Sequence, residues 1–191
     1  TQRFKTLLQG NVDAIYFNEK LYIGKREEVF VYNESTGNFD LYYHLAGKDI
    51  TLSCLHLDEK KNLWMGTTSN GLYCLSGDKK ISQPVTRGNI ASIYEDSSKE
   101  LWICTWEEGL YRIKTDSTIE NFRHDPKNPN SICTDFVRSC CEDNAGNLWI
   151  GTFHGLNRYE KSTGKFQLYT ANANKPDGLT HSSIWCIVKD E

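Results

Sequence analysis

Apolar and polar residues alternate along most of this chain in short runs broken by Gly, Asn, Asp and Ser, and a period of two is the signature of strands. The segments Ile50 to Leu57, Ile90 to Tyr94 and Val137 to Cys141 carry that alternation. Each is followed by a tight polar link, such as Asp58-Glu59-Lys60-Lys61-Asn62 or Asp143-Asn144-Ala145-Gly146-Asn147, whose residues favour the turns that close a hairpin. Beyond the link comes a phrase present in three copies: Leu63-Trp64-Met65-Gly66-Thr67, Leu101-Trp102-Ile103-Cys104-Thr105 and Leu148-Trp149-Ile150-Gly151-Thr152. Leu21-Tyr22-Ile23-Gly24 is a weaker fourth copy. The leading leucines lie 42, 38 and 47 residues apart, a period in the range of four-stranded propeller blades.

The rest of each unit follows the same grammar. A third strand is expected at Gly71 to Leu75, Gly109 to Ile113 and Gly155 to Tyr159, with Glu28 to Tyr32 as its counterpart in the first unit. Turns such as Ser35-Thr36-Gly37-Asn38 and Ser162-Thr163-Gly164-Lys165 then precede a fourth strand, Phe39 to Tyr42 or Phe166 to Tyr169. Small antiparallel sheets repeated at this interval cover both their faces by stacking radially, so the fold class is all-β: a β-propeller fragment of about four four-stranded blades. The expected boundaries are 11–47, 48–88, 89–132 and 133–178 for the blades. A flanking strand is expected at each end: an outer strand of a preceding blade within 1–10, around Phe4 to Leu8, and an inner strand of a following blade within 179–191, around Ile184 to Val188. These two leftovers cannot pair with each other, which marks the chain as a piece of a longer ring with blade faces available for self-association. The recurrent Trp64, Trp102 and Trp149 are expected to pack between neighbouring blades. Gly66 and Gly151, replaced by Cys104 in the third unit, are expected to allow close backbone approach. All four prolines, Pro84, Pro126, Pro129 and Pro176, are expected between a fourth strand and the next first strand, and no helix is indicated.

Composition narrows the classes. Of 191 residues, 22 are Lys or Arg and 25 are Asp or Glu, a formal charge of −3 that offers no polycation for nucleic acid. Five Trp, ten Tyr and eight Phe against one Met suit an ordered, strand-rich protein. Unbroken apolar stretches such as Ala14 to Phe17 fall far short of the roughly 20 residues that cross a bilayer, so no membrane segment is expected in this chain. The first thirty residues lack a basic start followed by an apolar core, and any export signal or anchor is expected outside the chain. Seven cysteines, Cys54, Cys74, Cys104, Cys133, Cys140, Cys141 and Cys186, show no CxxC pairing. They read as small buried residues with neither metal nor cofactor implied.

The phrases Gly146-Asn147-Leu148-Trp149-Ile150-Gly151-Thr152, Gly155-Leu156-Asn157-Arg158-Tyr159 and Ser162-Thr163-Gly164-Lys165-Phe166 resemble the two-component regulator propeller repeat. Asn128-Pro129-Asn130-Ser131-Ile132 and Glu142-Asp143 resemble it too. The likeness fades towards the first unit, where Tyr22 stands in place of Trp and Lys25 in place of Thr. The resemblance implies the extracytoplasmic sensor region of a membrane-bound two-component regulator, such as the hybrid histidine kinases of gut Bacteroidetes that detect oligosaccharides and control polysaccharide utilisation. It implies a periplasmic ectodomain of an inner-membrane protein, ahead of a transmembrane helix and kinase that are not in this sequence, and hence a sensing segment with no kinase activity of its own.

Antiparallel topology puts the links into strand one and those between strands two and three at a shared rim, which collects the longest loops. Rigidly held aromatic and hydrogen-bonding side chains there suit a sugar, with its apolar ring face and many hydroxyls. The candidate ligand contacts are Arg26, Trp106, Glu107, Arg138, Phe153 and His154. The competing reading is that Trp106 and Phe153 cap the blade interface. No catalytic residue is assigned: Glu107 and Glu108 are adjacent rather than opposed, and the five histidines have no ligand spacing. Asp143 to Asn147 superficially resembles a calcium loop, but position twelve is His154 and the link reads as a turn. Expected partners are an oligosaccharide, other copies of the chain, or the remaining blades of a parent ring. The alternative function is a propeller scaffold for dimerisation or protein interaction with no ligand site. A propeller lyase or hydrolase ranks third.

Overall fold

Among the described residues, sixteen strands make up the regular structure, and all pair within four separate antiparallel sheets. The computed structural model describes residues 11–47, 49–78, 80–172 and 178–190. The first sheet holds β1 (Ala14–Asn18), β2 (Lys20–Lys25), β3 (Glu28–Asn33) and β4 (Asn38–His44). The second holds β5 (Leu52–Leu57), β6 (Leu63–Thr67), β7 (Leu72–Leu75) and β8 (Ile81–Val85). β9 (Ile90–Glu95), β10 (Leu101–Thr105), β11 (Leu110–Ile113) and β12 (Ile119–Phe122) form the third. β13 (Val137–Glu142), β14 (Leu148–Thr152), β15 (Gly155–Glu160) and β16 (Lys165–Tyr169) form the fourth. Strands lie in chain order within every sheet, and β1, β5, β9 and β13 neighbour one another in that order. This is an arc of propeller blades, with β6, β10 and β13 buried along their whole length and β4 and β12 largely exposed.

Three apolar seams hold the arc together. Between the first two sheets lie Ala14, Val29, Leu52, Leu55, Leu63 and Met65. The next seam gathers Trp64, Leu72, Ile90, Leu101 and Ile103, and the last Trp102, Leu110, Val137, Leu148, Ile150, Tyr159 and Phe166. Trp102 is fully buried, stacked 5.8 Å from Phe122 of its own sheet and 5.6 Å from Tyr159 of the next. Burial of such a ring contributes roughly 2–3 kcal/mol. Trp149 holds the same place in the fourth sheet, but its neighbour there is Tyr169 of that sheet, 5.4 Å away, and it is only half-buried.

Each indole also closes its own hairpin. Trp64, Trp102 and Trp149 donate Nε1–H to Asp58, Asp96 and Asp143 at 2.9, 2.8 and 2.8 Å. The same carboxylates accept the backbone N–H four residues on, from Asn62, Glu100 and Asn147, at 2.8, 3.0 and 2.9 Å. The turn residue third after each Asp has positive φ: Lys61 at 64°, Lys99 at 64° and Gly146 at 81°. That is the left-handed position of a tight hairpin with a bulge. A second repeated link crosses the seams. Glu95 accepts the backbone N–H of Glu59 at 3.4 Å, and Glu142 accepts that of Ser97 at 2.8 Å. Lys161 bridges Asp96 at 2.7 Å and Glu142 at 2.5 Å across the last seam.

Four expectations differ from the structure or fall outside it. Pro84 lies within β8 rather than after it. An outermost strand has a free edge where a missing N–H costs little. Pro176 and the strand expected at Phe4 to Leu8 lie outside the described residues. Ile184 to Val188 form no strand, because an inner strand is held by the second strand of its own sheet and these residues have no such partner among the described residues. Ile184 is nevertheless seated as a first strand begins. Its N–H donates to the Thr152 carbonyl at 2.9 Å, and its side chain packs over Gly151 as Ile90 packs over Gly66. A Cβ at Gly66 would come within 2.5 Å of Cys54 Sγ and 2.8 Å of Ile90 Cγ2, so this position needs glycine's lack of a side chain.

Trp102→Ala is expected to cost about 3–5 kcal/mol of unfolding free energy, with Trp149→Ala costing less than half as much, as read from urea denaturation. Acid is expected to unfold the arc through its hairpin carboxylates. Burial opposes ionisation of Asp143, but hydrogen bonds from Asn147, Trp149 and Ala145 outweigh it and hold the group at about 2 against its usual 3.8. Asp96 is also lowered, its burial offset by Lys161 and Trp102. Carboxyls depressed in this way stabilise the fold above their unfolded value and cease to do so as pH falls through the folded one. The thermal midpoint should therefore drop between pH 3.8 and about 2, and Asp143→Asn should shrink that drop.

Candidate functional site

The rim where second strands hand over to third strands is built on one repeated set of bonds. The Thr closing each second strand, Thr67, Thr105 or Thr152, donates its hydroxyl to the carbonyl of Gly71, Gly109 or Gly155 at 2.8, 2.7 and 2.7 Å. It accepts the backbone N–H of Asn70, Glu108 or His154 at 2.9, 2.9 and 3.2 Å. The next residue, Thr68, Trp106 or Phe153, donates its N–H to the carbonyl of Thr51, Asn89 or Phe136 at 2.9, 3.1 and 3.3 Å, just ahead of the inner strand. The side chain at that position is free of the frame and varies from sheet to sheet.

A second such position lies on the inner strands. Each of β5, β9 and β13 is bulged against its partner, leaving Ser53, Ala91 and Arg138 unpaired in register. A bulge re-aims the side chain it frees, and all three line an open depression of about 390 Å³ at the inner rim, with Asp13, Thr51 and Asn89 beside them. Trp106 and Trp185 complete its wall. Trp185 follows Ile184 as Arg138 follows Val137, so it takes the corresponding place after the fourth sheet.

Arg138 is the centre of this wall. Its guanidinium carbon lies 3.4 Å from the Trp185 ring centre, 4.5 Å from Trp106 and 4.7 Å from Phe153. The arginine is 8% exposed, whereas Trp185 is 66% exposed and keeps one ring face open. Trp106 and Phe153 are also partly exposed, and Phe136 packs on Phe153 at 6.3 Å. Arg138 Nε is buried without a hydrogen-bond partner. A desolvated cation over aromatic faces gains about 2 kcal/mol per good contact, but the rings leave the buried Nε–H without an acceptor.

Three of the six sequence candidates, Trp106, Arg138 and Phe153, meet here. His154 is exposed at the edge, its ring 6.4 Å from Phe153. Glu107 is exposed, and its carbonyl accepts from Arg123 Nη2 at 3.1 Å. Arg26 belongs to the turn between β2 and β3, where its N–H donates to Asp13 Oδ2 at 2.6 Å, and it is not among the residues lining the depression. Glu108 is engaged elsewhere, accepting from Thr86 and from Tyr111 at 3.0 Å, so it is not paired with Glu107. Trp185 was not singled out by its sequence position. Its signal was the spacing from Ile184, read as an ordinary strand alternation. The described residues hold no cluster of His, Cys, Asp and Glu suited to a metal.

The two component regulator propeller model matches residues 131–154. No curated protein matches the chain in sequence. Among solved structures, the extracellular domain assigned to the hybrid two component system BT4673 of B. thetaiotaomicron superposes with a TM-score of 0.76 at 19% identity. That match covers 96% of this chain and 25% of the other. The corresponding domain assigned to BT3049 of the same organism gives 0.65 at 26% identity, covering 81% and 21%. Virginiamycin B lyase from Staphylococcus aureus gives 0.67 at 17% identity, covering 85% and 56%. The chain thus spans about half the length of the lyase and a quarter or less of the two ectodomains. It carries a two component regulator propeller repeat at residues 131–154, and its all-β blades are built like those of hybrid two-component extracellular domains.

Proposed function

We propose that this chain is part of the periplasmic sensor region of a two-component regulator, and that its inner rim contacts an oligosaccharide whose arrival signals for polysaccharide utilisation. The repeat at 131–154 and the likeness to hybrid two-component ectodomains support the signalling half of this reading. One observation carries the ligand half. Within an otherwise repeated frame, the two variable rim positions are Thr68 and Ser53 in the second sheet but Trp106 and Ala91 in the third, and Phe153 and Arg138 in the fourth. Packing needs no such change, since the second sheet closes the same bonds with small polar residues. Exposed aromatic faces beside hydrogen-bonding groups are what a sugar requires.

The scaffold reading has its own support. Ile15 and Phe17 on β1 are 67% and 73% exposed, and Trp149 lacks the cover that Trp102 receives from the next sheet. Both end faces suit further blades or a second copy. The lyase likeness supports the fold alone, and the neighbouring Glu107 and Glu108 do not offer the opposed carboxyls of glycoside hydrolysis.

Calorimetry with an oligosaccharide panel on this chain and on the complete ectodomain separates the readings. Saturable binding that weakens at least about tenfold in Trp106→Ala is expected. Binding by the ectodomain that ignores Trp106 would leave the scaffold role, and released product would make the protein an enzyme.

A further inference from the structure

Arg138 carries a positive charge that no carboxylate among the described residues answers. Arg112 faces Glu100 at 2.5 Å and Glu120 at 3.3 Å, Arg123 faces Asp135 at 2.6 Å, and Arg158 faces Glu160 at 3.9 Å. Arg138 is more than nine-tenths buried, yet among the described residues no carboxylate pairs with it and none accepts its N–H donors. Buried charges are ordinarily paired, because removing one from water without a partner is costly. Three aromatic faces offset part of that cost through their ring quadrupoles. They accept no hydrogen bond in the guanidinium plane. Asp13, the acid that shares the depression, already accepts the Arg26 N–H at 2.6 Å.

A guanidinium carries a planar fork of parallel N–H donors whose natural complement is a carboxylate held bidentately, an acceptor that the rings around Arg138 do not supply. The Arg138 guanidinium carbon sits 3.4 Å from the Trp185 ring centre and Trp185 is 66% exposed, so a ring joined to that carboxylate would have an indole to lie on. The bulge in β13 points this one arginine into the depression, where the same bulge points Ser53 and Ala91 in the preceding sheets.

Resting on the saccharide reading above, we propose that the ligand is an anionic saccharide of the uronic acid class, its carboxylate held by Arg138 and its sugar ring on Trp185 or Trp106. A neutral sugar of the same shape leaves the guanidinium facing hydroxyls, which carry no opposite charge and do not match its fork bidentately.

The test is calorimetry on this chain with a panel of uronic-acid-containing oligosaccharides and with the same panel after reduction of each carboxyl to a hydroxymethyl group. At least one acidic member is expected to bind, with its reduced counterpart at least about tenfold weaker and the acidic affinity falling as salt rises. Arg138→Gln should remove the acidic preference while Trp106→Ala weakens both forms. Should Arg138→Gln fail to keep the wild-type circular dichroism, Arg138→Lys keeps the charge but loses the fork, and is expected to fall between the two. Equal binding of acidic and reduced sugars overturns the anionic assignment and leaves the saccharide reading in place. An acidic preference that survives loss of Arg138 overturns the role of this residue, and an absence of binding by every member of both panels removes both readings together.

Discussion

A buried indole has to bring its N–H with it, and the arc is organised around the way that demand is met. Trp64 and Trp102 lay their rings in seams, and they and Trp149 each return the indole N–H to the aspartate that opens the same hairpin. One residue thereby couples three levels of structure: turn, sheet and seam. The aspartate in turn accepts backbone donors that a tight hairpin would otherwise leave unanswered, so neither partner of the bond is left buried and unsatisfied. The first sheet shows what happens without the pair. Tyr22 takes the Trp position, is equally buried, and leans on Tyr42 at 5.4 Å.

With the frame satisfied from within, the side chains between its fixed points can vary from sheet to sheet, although Ser53 also donates its hydroxyl to the Ile90 carbonyl across a seam. At the rim the Thr hydroxyl and two backbone bonds recur from sheet to sheet, while the side chains they hold out change from threonine and serine to tryptophan, alanine, phenylalanine and arginine. A rigid scaffold that presents variable groups along a curved edge is the usual arrangement of a recognition surface in repeat proteins. The chemistry concentrates where the third and fourth sheets adjoin residues 184–185, since Arg138, Trp106, Phe153 and Trp185 come from those parts and touch across the gaps between them.

Much of the architecture was legible because the Leu-Trp phrase recurs in register, and a recurring phrase reports the sheet, the strand order and the period together. Burial of Trp64 and Trp102 in seams followed from the same repetition. The indole-to-aspartate bond was not read, although its spacing of six residues stands in the sequence three times over, at Asp58 and Trp64, Asp96 and Trp102, Asp143 and Trp149. Alternation alone gave no sign of Pro84 as a strand residue, because the edge of a sheet tolerates what its centre does not. At Ile184 to Val188 the pattern of a strand is present, and no strand pairs there among the described residues. Of the rim, Trp106, Arg138 and Phe153 could be named from loop position and residue type. The guanidinium stack could not, since a bulge breaks the period on which such readings depend.

The glutamates that close the inner strands reach backwards. Glu95 and Glu142 each take a main-chain donor from the hairpin of the sheet before them, so at the second and third seams the later member supplies a polar stitch to the earlier one. An arrangement of this kind is modular in an evolutionary sense. A duplicated unit arrives already equipped to fasten itself to its predecessor, and the arc can lengthen one unit at a time without any earlier part being redesigned.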